Sequence, residues 1–582
     1  MRLSAPRSVP DYRLEAASRR PALIAALTYA ALVLVMWLPF NPCGGLPYES
    51  HFLFNSEVWP IKGILFPSDP MRPHTSTFYH ISFLLGEVLR IGGSFVPFQI
   101  VYAVLWWARG FLFFLILRRM LPGQSVFAFC CGALLLVHAS DRALLWVGQL
   151  NQFGFIFWML LAFYLFLLAV ESPRAARGRW YLGGTLAAQH MSLWSYESQL
   201  LLILAAPLTL WFAKPRQARS QARIIAAWYI MPAIYLLVTA WLYLTRVAGD
   251  YQAAVLRTDW SAAAIAGDWW FNVAASLEFW NWPQNLPWGL APEWLSGLAL
   301  LGAAVYLCGW AGVLAGRGDR EKTETLASRA WMGLLLTGIA ALVLSFPAYL
   351  LLASAASLWR TQFLSGIGSA LTWASLAGLA GSFLPRRWPR AWLFLAAGAL
   401  FTAFGVDSAL RLAASHDLIW NRQRQAVEAL LTLAPRLPER TVVVAVNVPK
   451  ANDPFGHNMW FNFALKLAYP GSRVSGIYFY DDGSPAEGNH LHLESNDWVW
   501  DGSFESPGYE RQGVGKTLAI YYESVSRAHL LDDLPAILSP EGHAKSRYSP
   551  RAVILEGPPS PRAVRRYFPC PDWWWTLSPR QD

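Results

Sequence analysis

The chain has 582 residues, 55% of them hydrophobic and only 14% charged, with a mean hydropathy of +0.30. Soluble proteins carry about 25% charged residues, so this composition excludes a soluble globular protein and indicates a membrane protein. A net charge of +10 would suggest nucleic acid in a soluble chain, but most arginines here sit in short loops between apolar runs, where they set orientation; no nucleic-acid partner is expected.

The first twenty residues, "MRLSAPRSVPDYRLEAASRR", are basic and lead directly into the apolar run "PALIAALTYAALVLVMWLPF". That run is long enough to cross a bilayer core of roughly 30 Å and too long for a signal peptide's apolar region, so it reads as an uncleaved first span. Further apolar runs follow near 97–120, 125–139, 152–170, 180–196, 197–213, 223–247, 294–316, 328–353, 359–383 and 389–410. The expected fold is therefore mainly α, a polytopic bundle of about 11 transmembrane helices.

Alternate loops are arginine-rich: "RRMLPGQ", "ESPRAARGRW", "AKPRQARSQAR", "GRGDREKTETLASR" and "LPRRWPRA". The positive-inside rule puts these and the N-terminus in the cytoplasm. The loop 41–96, "HASDRALLWVGQLNQ", "SLWSYES", the segment 248–293, "SAASLWR" and everything after about 411 then face outside. Within the first outer loop, "STFYHISFLLGEVLRIGG" spaces Phe78, Ile81, Leu84, Leu85, Val88 and Leu89 at helical intervals, predicting a helix along the outer face. The segment containing "DWWFNVAASLEFWNWPQNLPW" reads the same way.

Beyond residue 411 charge rises and apolar runs shorten. "RTVVVAVNVP", "SRVSGIYFYDD" and "KTLAIYYES" predict strands, while "DLIWNRQRQAVEALLTLAPRL" and "NMWFNFALKLAYP" predict helices. The expected organisation is a cytoplasmic segment 1–20, a membrane domain 21–410 and a small extracytoplasmic α/β domain 411–582 with a Pro-rich, disordered end after about 555. Two further motifs lie in this tail. "GVGKT" has Glu510 where a phosphate-binding loop needs glycine. "GNHLHLES" puts His490, His492 and Glu494 on one strand face, which reads as a solvated edge before it reads as a metal site. Of the five cysteines, only Cys43 and Cys570 could meet outside the membrane.

Charged groups at span ends are costly and so mark functional candidates. At the outer ends these are Glu49, Glu57, Asp69, Arg72, His74, His138, Asp141, Arg142, Glu197 and Arg360. Asp141 and Arg142 also read as a span cap. The order of features is informative. An acid-bearing first outer loop closes with Arg72-Pro73 and enters an amphipathic helix, and His138 ends the third span. "LWSYESQLLLILAAPLTLWF" puts Ser-Tyr-Glu at the head of one span, and "LWRTQFLSGIGSALTWASLAG" puts Arg360 at the head of another. This arrangement over residues 20–410 resembles the GT-C superfamily of polytopic glycosyltransferases, nearest its TMTC-type and protein O-mannosyltransferase branch. The tail resembles no known family.

The resemblance implies a GT-C-like bundle and transfer of a sugar from a polyprenyl-phosphate donor to a glycan, lipid or protein hydroxyl on the outer face. The membrane would be a bacterial inner or plasma membrane. It also implies an acid of the first outer loop as base, with Glu49 favoured over Asp69 and Glu57. Arg72, His74, His138, Glu197 and Arg360 are the expected substrate contacts. A carboxylate can take the acceptor's proton, and a cation can stabilise the departing phosphate. Relatives often carry two adjacent acids early in the loop; here the second place is Ser50, which leaves open a non-catalytic scaffold. The other alternative is a flippase of polyprenyl-linked glycans. No metal ligands are assigned, and a divalent metal is left open.

Overall fold

The computed structural model describes residues 19–40, 44–45, 61, 72–91, 94–172, 174–245, 256–282, 294–316, 326–353, 355–384, 391–501, 511–538 and 542–568. The helices of its membrane part are α1 (Arg19–Trp37), α2 (Thr77–Val88), α3 (Val96–Met120), α4 (Ser125–Leu136), α5 (Leu150–Glu171), α6 (Ala175–Leu193), α7 (Leu200–Ala213), α8 (Pro215–Ser220), α9 (Ala222–Trp228), α10 (Ile230–Leu244), α11 (Ala262–Leu277), α12 (Trp294–Ala315), α13 (Ser328–Leu344), α14 (Gly366–Phe383) and α15 (Ala391–Leu433). Among the described residues, seven helical stretches are long and apolar enough to cross a bilayer. This is an integral membrane protein, and each apolar run read from the sequence falls on a helix.

Close helix packing in lipid depends on small residues, because lipid tails offer apolar groups no reason to leave them. Helices α3 and α4 cross backbone to backbone: a Cβ on Gly110 would meet the carbonyl oxygen of Gly132 at 2.9 Å, and a Cβ on Gly132 would meet that of Gly110 at the same distance. Every residue of α4 is buried, as its uniformly apolar sequence requires. Its 12 residues span only about 18 Å, so the chain leaves the helix at Val137 instead of continuing to 139. The following segment, which ends in a 3-10 turn at Val147–Gln149, is buried except for half-buried Arg142. Such backbone is tolerated at this depth only where protein groups satisfy it. Buried Arg109 does part of this, donating from Nη2 to the carbonyl oxygens of Leu135 (2.8 Å) and Leu136 (3.2 Å). A cation at a helix C-terminus also complements the helix dipole.

The two ends of the bundle differ chemically. At one end Glu171 receives Arg119 at 2.6 Å and Lys214 at 2.7 Å, joining three of the arginine-rich connectors. At the other end lie the connectors that carry the candidate residues. Helix α11 at that end is turned inside out by soluble standards: Asn272 and Ser276 are buried while Trp270 is 71% exposed. Helix α2 likewise leaves Val88 79% exposed. Outward aromatic and aliphatic faces suit helices lying in a membrane interface.

Helix α15 has 43 residues, about 64 Å at 1.5 Å per residue. It therefore runs through the bundle and on beyond it without breaking at residue 411. Trp146 packs against His416 of α15 at 5.6 Å and Phe95 against Trp420 at 4.9 Å, so the protruding half leaves from the end that carries the candidate residues.

The tail docks on that protruding half. Its strands are β1 (Val442–Val448), β2 (Ser475–Tyr480), β3 (Leu491–Glu494), β4 (Asp497–Trp500), β5 (Arg511–Gly513), β6 (Thr517–Ser524) and β7 (Arg527–Leu530). One sheet has the order β2-β1-β6-β7, with β1 parallel to both neighbours and β7 antiparallel; the other is antiparallel β3-β4-β5. Strand β1 is buried on both faces. Val443, Ala445 and Val448 join the core with α15 and α16 (Asn458–Ala468), while Val442, Val444 and Val446 pack with Trp498 and Val514. This explains an apolar run without alternation. Tyr522 and Tyr469 donate to the carbonyls of Ala426 and Ala434, each at 2.8 Å. Past residue 555, where disorder was expected, a short helix, α18 (Pro561–Tyr567, following α17, Gly542–Arg547), buries Tyr567 near Trp420.

With the arginine-rich end inside, cysteines placed at Trp260 and Asp482 are expected to react with an impermeant maleimide in intact cells, and cysteines at Arg177 and Gln217 are not. Labelling at Gln217 would invert the topology.

Candidate functional site

Glu49, Glu57, Asp69 and Ser50 lie outside the described residues, as do Cys43 and Cys570. The remaining candidates form two neighbouring groups at the end from which α15 emerges.

The first group joins residues 72–75 to the α6–α7 connector. That connector is a tight turn because Gln199 donates to the carbonyls of Ser192 (2.8 Å) and Tyr196 (2.7 Å). The strand of chain before α2 is stitched to it: His74 N–H donates to Trp194 O at 3.1 Å, Thr75 Oγ1 to Ser195 O at 2.8 Å, and Ser195 Oγ to His74 O at 3.2 Å. On this frame Arg72 forks onto Glu197, with Nε 2.9 Å from Oε2 and Nη2 on Oε1. Its guanidinium lies 4.7 Å from the centroid of the Tyr196 ring, which stacks in turn on Phe155. The sequence reading thus named three neighbours, since His74 Nε2 is 3.1 Å from His190 Nε2 beside the same turn.

His74 does not serve as a cation. Burial first, and then the neighbouring His190, lower its pKa from 6.5 to about 4, so at neutral pH it offers a hydrogen bond and no charge.

The second group joins the segment after α4 to the connector before α14. Asp141 is buried and accepts three backbone N–H groups: Ala143 at 2.8 Å and Arg360 at 3.0 Å on Oδ1, and Gln362 at 2.7 Å on Oδ2. Burial raises its pKa to about 7 against the pull of those three bonds. Arg360 has a left-handed backbone, φ 71°. Gln362 Nε2 donates to Asn272 Oδ1 at 2.7 Å, and Ser276 Oγ lies 2.5 Å from Gln362 Oε1, tying the connector to α11. His138 sits deeper, edge-on to Trp282 with Ser140 Oγ 3.2 Å from Nε2. A Cβ on Gly366 would meet its ring at 3.0 Å, so the ring packs closely over this glycine. His138 therefore packs behind the second group instead of joining Arg72 and Glu197. Tyr349 bridges the groups, with its ring 6.4 Å from that of Tyr196 and both Glu197 and Asp141 within electrostatic reach.

The sequence reading missed Gln362, Asn272, Ser276 and Tyr349, and it left Asp141 open between a functional candidate and a span cap. Among the described residues no three His, Cys, Asp or Glu side chains gather to hold a metal ion. In the tail, His490 and His492 face Asp501, and Glu494 receives Arg511, all on an exposed strand edge. "GVGKT" forms a strand end and a 3-10 turn, with Lys516 donating to Glu439 O.

The two titrations give opposite slopes of stability with pH. A histidine lowered to about 4 leaves the unfolded chain binding the proton first, so its contribution is lost as pH falls from 6.5 towards 4. An aspartate raised from 3.8 to about 7 makes the folded form bind first, so its contribution grows as pH falls through that window. The melting temperature of His74→Gln minus that of the parent is therefore expected to rise on acidification from 6.5 to 4. A constant difference would contradict the burial of His74 against His190.

No family model matches the chain, and no curated protein matches it. Among solved structures, apo ArnT from Cupriavidus metallidurans overlays with a TM-score of 0.33 at 14% identity, covering 75% of this chain and 83% of that one. ArnT from the same organism bound to undecaprenyl phosphate overlays with a TM-score of 0.33 at 15% identity, covering 77% and 84%. Overlaps this low decide neither the fold nor the chemistry of this chain.

Proposed function

We propose that the chain is a GT-C-type membrane glycosyltransferase that moves a sugar from a polyprenyl-phosphate donor to a hydroxyl acceptor on the outer face, nearest the TMTC-type and protein O-mannosyltransferase branch. The observation that supports this is the gathering of Arg72 and Arg360 at one end of the bundle, from which α15 emerges. A forked guanidinium over an aromatic ring suits a phosphate, and the departing lipid phosphate needs such a cation.

The acceptor is a glycan, lipid or protein hydroxyl, and a carboxylate of the first loop removes its proton. In the sequence Glu49 follows Gly45 by four residues and Asp69 precedes Arg72 by three; Gly45 itself packs against the Trp420 indole of α15.

The test uses purified protein in liposomes with a polyprenyl phosphate carrying a labelled sugar. Release of unglycosylated polyprenyl phosphate in the presence of acceptor is expected. An intact labelled donor that crosses the bilayer would replace the transferase with a flippase, and an intact donor that stays in place would favour a scaffold.

A further inference from the structure

Asp141 spends its carboxylate on backbone that is remote in sequence. One bond, from Ala143 N–H, closes its own turn, but the other two reach across to Arg360 and Gln362. The segment answers in kind, since Arg142 N–H donates to Leu358 O at 2.7 Å. Residues 358, 360 and 362 thus all bond to the segment after α4, and Trp359 between them packs edge-on to Trp146 of that same segment at 4.5 Å. Gln362 is held again from below by Asn272 and Ser276.

This clamp grips the chain on both sides of one strained residue. Arg360 lies in the left-handed region, which strains a residue with a Cβ and persists only where the surroundings impose it. Reverting to an ordinary conformation would re-aim the whole side chain. An ordinary capping aspartate explains the bond to Ala143; it does not explain two bonds to a connector 219 and 221 residues away.

We infer that Asp141 is the positioning residue for Arg360: its carboxylate holds the backbone of residues 360–362 so that the Arg360 guanidinium is aimed at the anionic group of a polyprenyl-phosphate ligand. The inference rests on the reading above that Arg360 contacts that phosphate. Asparagine at 141 keeps the shape but supplies one acceptor oxygen in place of two. Its amide nitrogen would meet the N–H of Gln362 or those of Ala143 and Arg360, donor against donor.

The experiment measures binding of a short-chain polyprenyl phosphate to the full-length protein in nanodiscs, for the parent, Asp141→Asn, Arg360→Ala and the double variant. Arg360→Ala and Asp141→Asn are each expected to weaken binding on the order of ten-fold. The double variant is expected to bind no more weakly than Arg360→Ala, because Asp141 acts only through Arg360. Normal binding by Arg360→Ala would overturn both the phosphate reading and the inference. Weakened binding by Arg360→Ala with normal binding by Asp141→Asn, or with losses that add in the double variant, would overturn the inference and leave the phosphate reading standing. Hydrogen exchange on the parent is a second measurement that survives any misfolding of the variant: the amides of Arg360 and Gln362 are expected to be protected, and fast exchange at both would remove the clamp.

Discussion

A Glu49→Gln protein is expected to bind the polyprenyl-phosphate donor normally and to transfer its sugar about 10²–10⁴-fold more slowly, the range that loss of a general base brings. Glutamine keeps the size and hydrogen-bonding reach of the side chain and removes only its ability to accept the proton. The measurement is a single-turnover rate with saturating donor, so that binding and chemistry separate. A normal rate would move the base to Asp69, three residues before Arg72 in the sequence. If glutamine at 49, 57 and 69 together left the rate intact, the first loop would not be catalytic, and the transferase reading would lose its chemistry while keeping its phosphate cations.

The features legible in the sequence are those with a local physical cause. Lipid admits only backbone that satisfies itself, so each span shows as an apolar run, and the runs found on that basis fall on helices. A strand buried on both faces shows as a continuous β-branched run, as "TVVVAVNV" does in β1. Arg72 and Glu197 were legible as residues of one end because Arg72 closes the long first loop, Glu197 sits in the short α6–α7 connector, and the alternation of charged loops puts both at the same end.

The features that were not legible depend on distant partners. Nothing near Val137 announces that α4 stops short of the membrane face; its end is set by Arg109, 26 residues earlier, reaching the carbonyls of Leu135 and Leu136. Asp141 could not be told from a span cap in the sequence because its decisive partners are more than 200 residues away. Asn272 and Ser276 were hidden among tryptophans, since membrane helices can bury polar groups and expose aromatic ones, the reverse of the soluble pattern. Helix α15 defeated any boundary at 411 because the apolar span and the amphipathic segment after it share one helical phase, with no glycine or proline between Ala391 and Leu433 that would stop the helix except Gly398 and Gly405. A Cβ on Gly405 would meet the carbonyl oxygen of Val137 at 2.2 Å, so this glycine serves close packing against the end of α4 instead of a break.

Arg72→Ala is expected to weaken donor binding by about 1.5–3 kcal/mol, the value of a charge-assisted hydrogen bond lost from one partner, while the protein stays folded. The second half of that statement follows from exposure. The Arg72 and Glu197 side chains are 31% and 40% exposed, and a half-solvated ion pair contributes only about 0–1 kcal/mol to stability. Glu197 left alone can turn to water, so the melting temperature should barely move. Arg72→Lys keeps the charge but cannot fork onto two oxygens or lie flat over Tyr196, and intermediate binding is expected. Glu197→Gln separates the two roles of the pair. It removes the carboxylate that competes with a phosphate for the same guanidinium, so binding should hold or tighten if Arg72 is a phosphate cation. The readout is polyprenyl phosphate affinity in nanodiscs beside thermal unfolding of the same samples. An Arg72→Ala protein that binds at the parent's affinity would reduce Arg72 to a structural partner of Glu197, and the phosphate would then have to be sought at Arg360 alone.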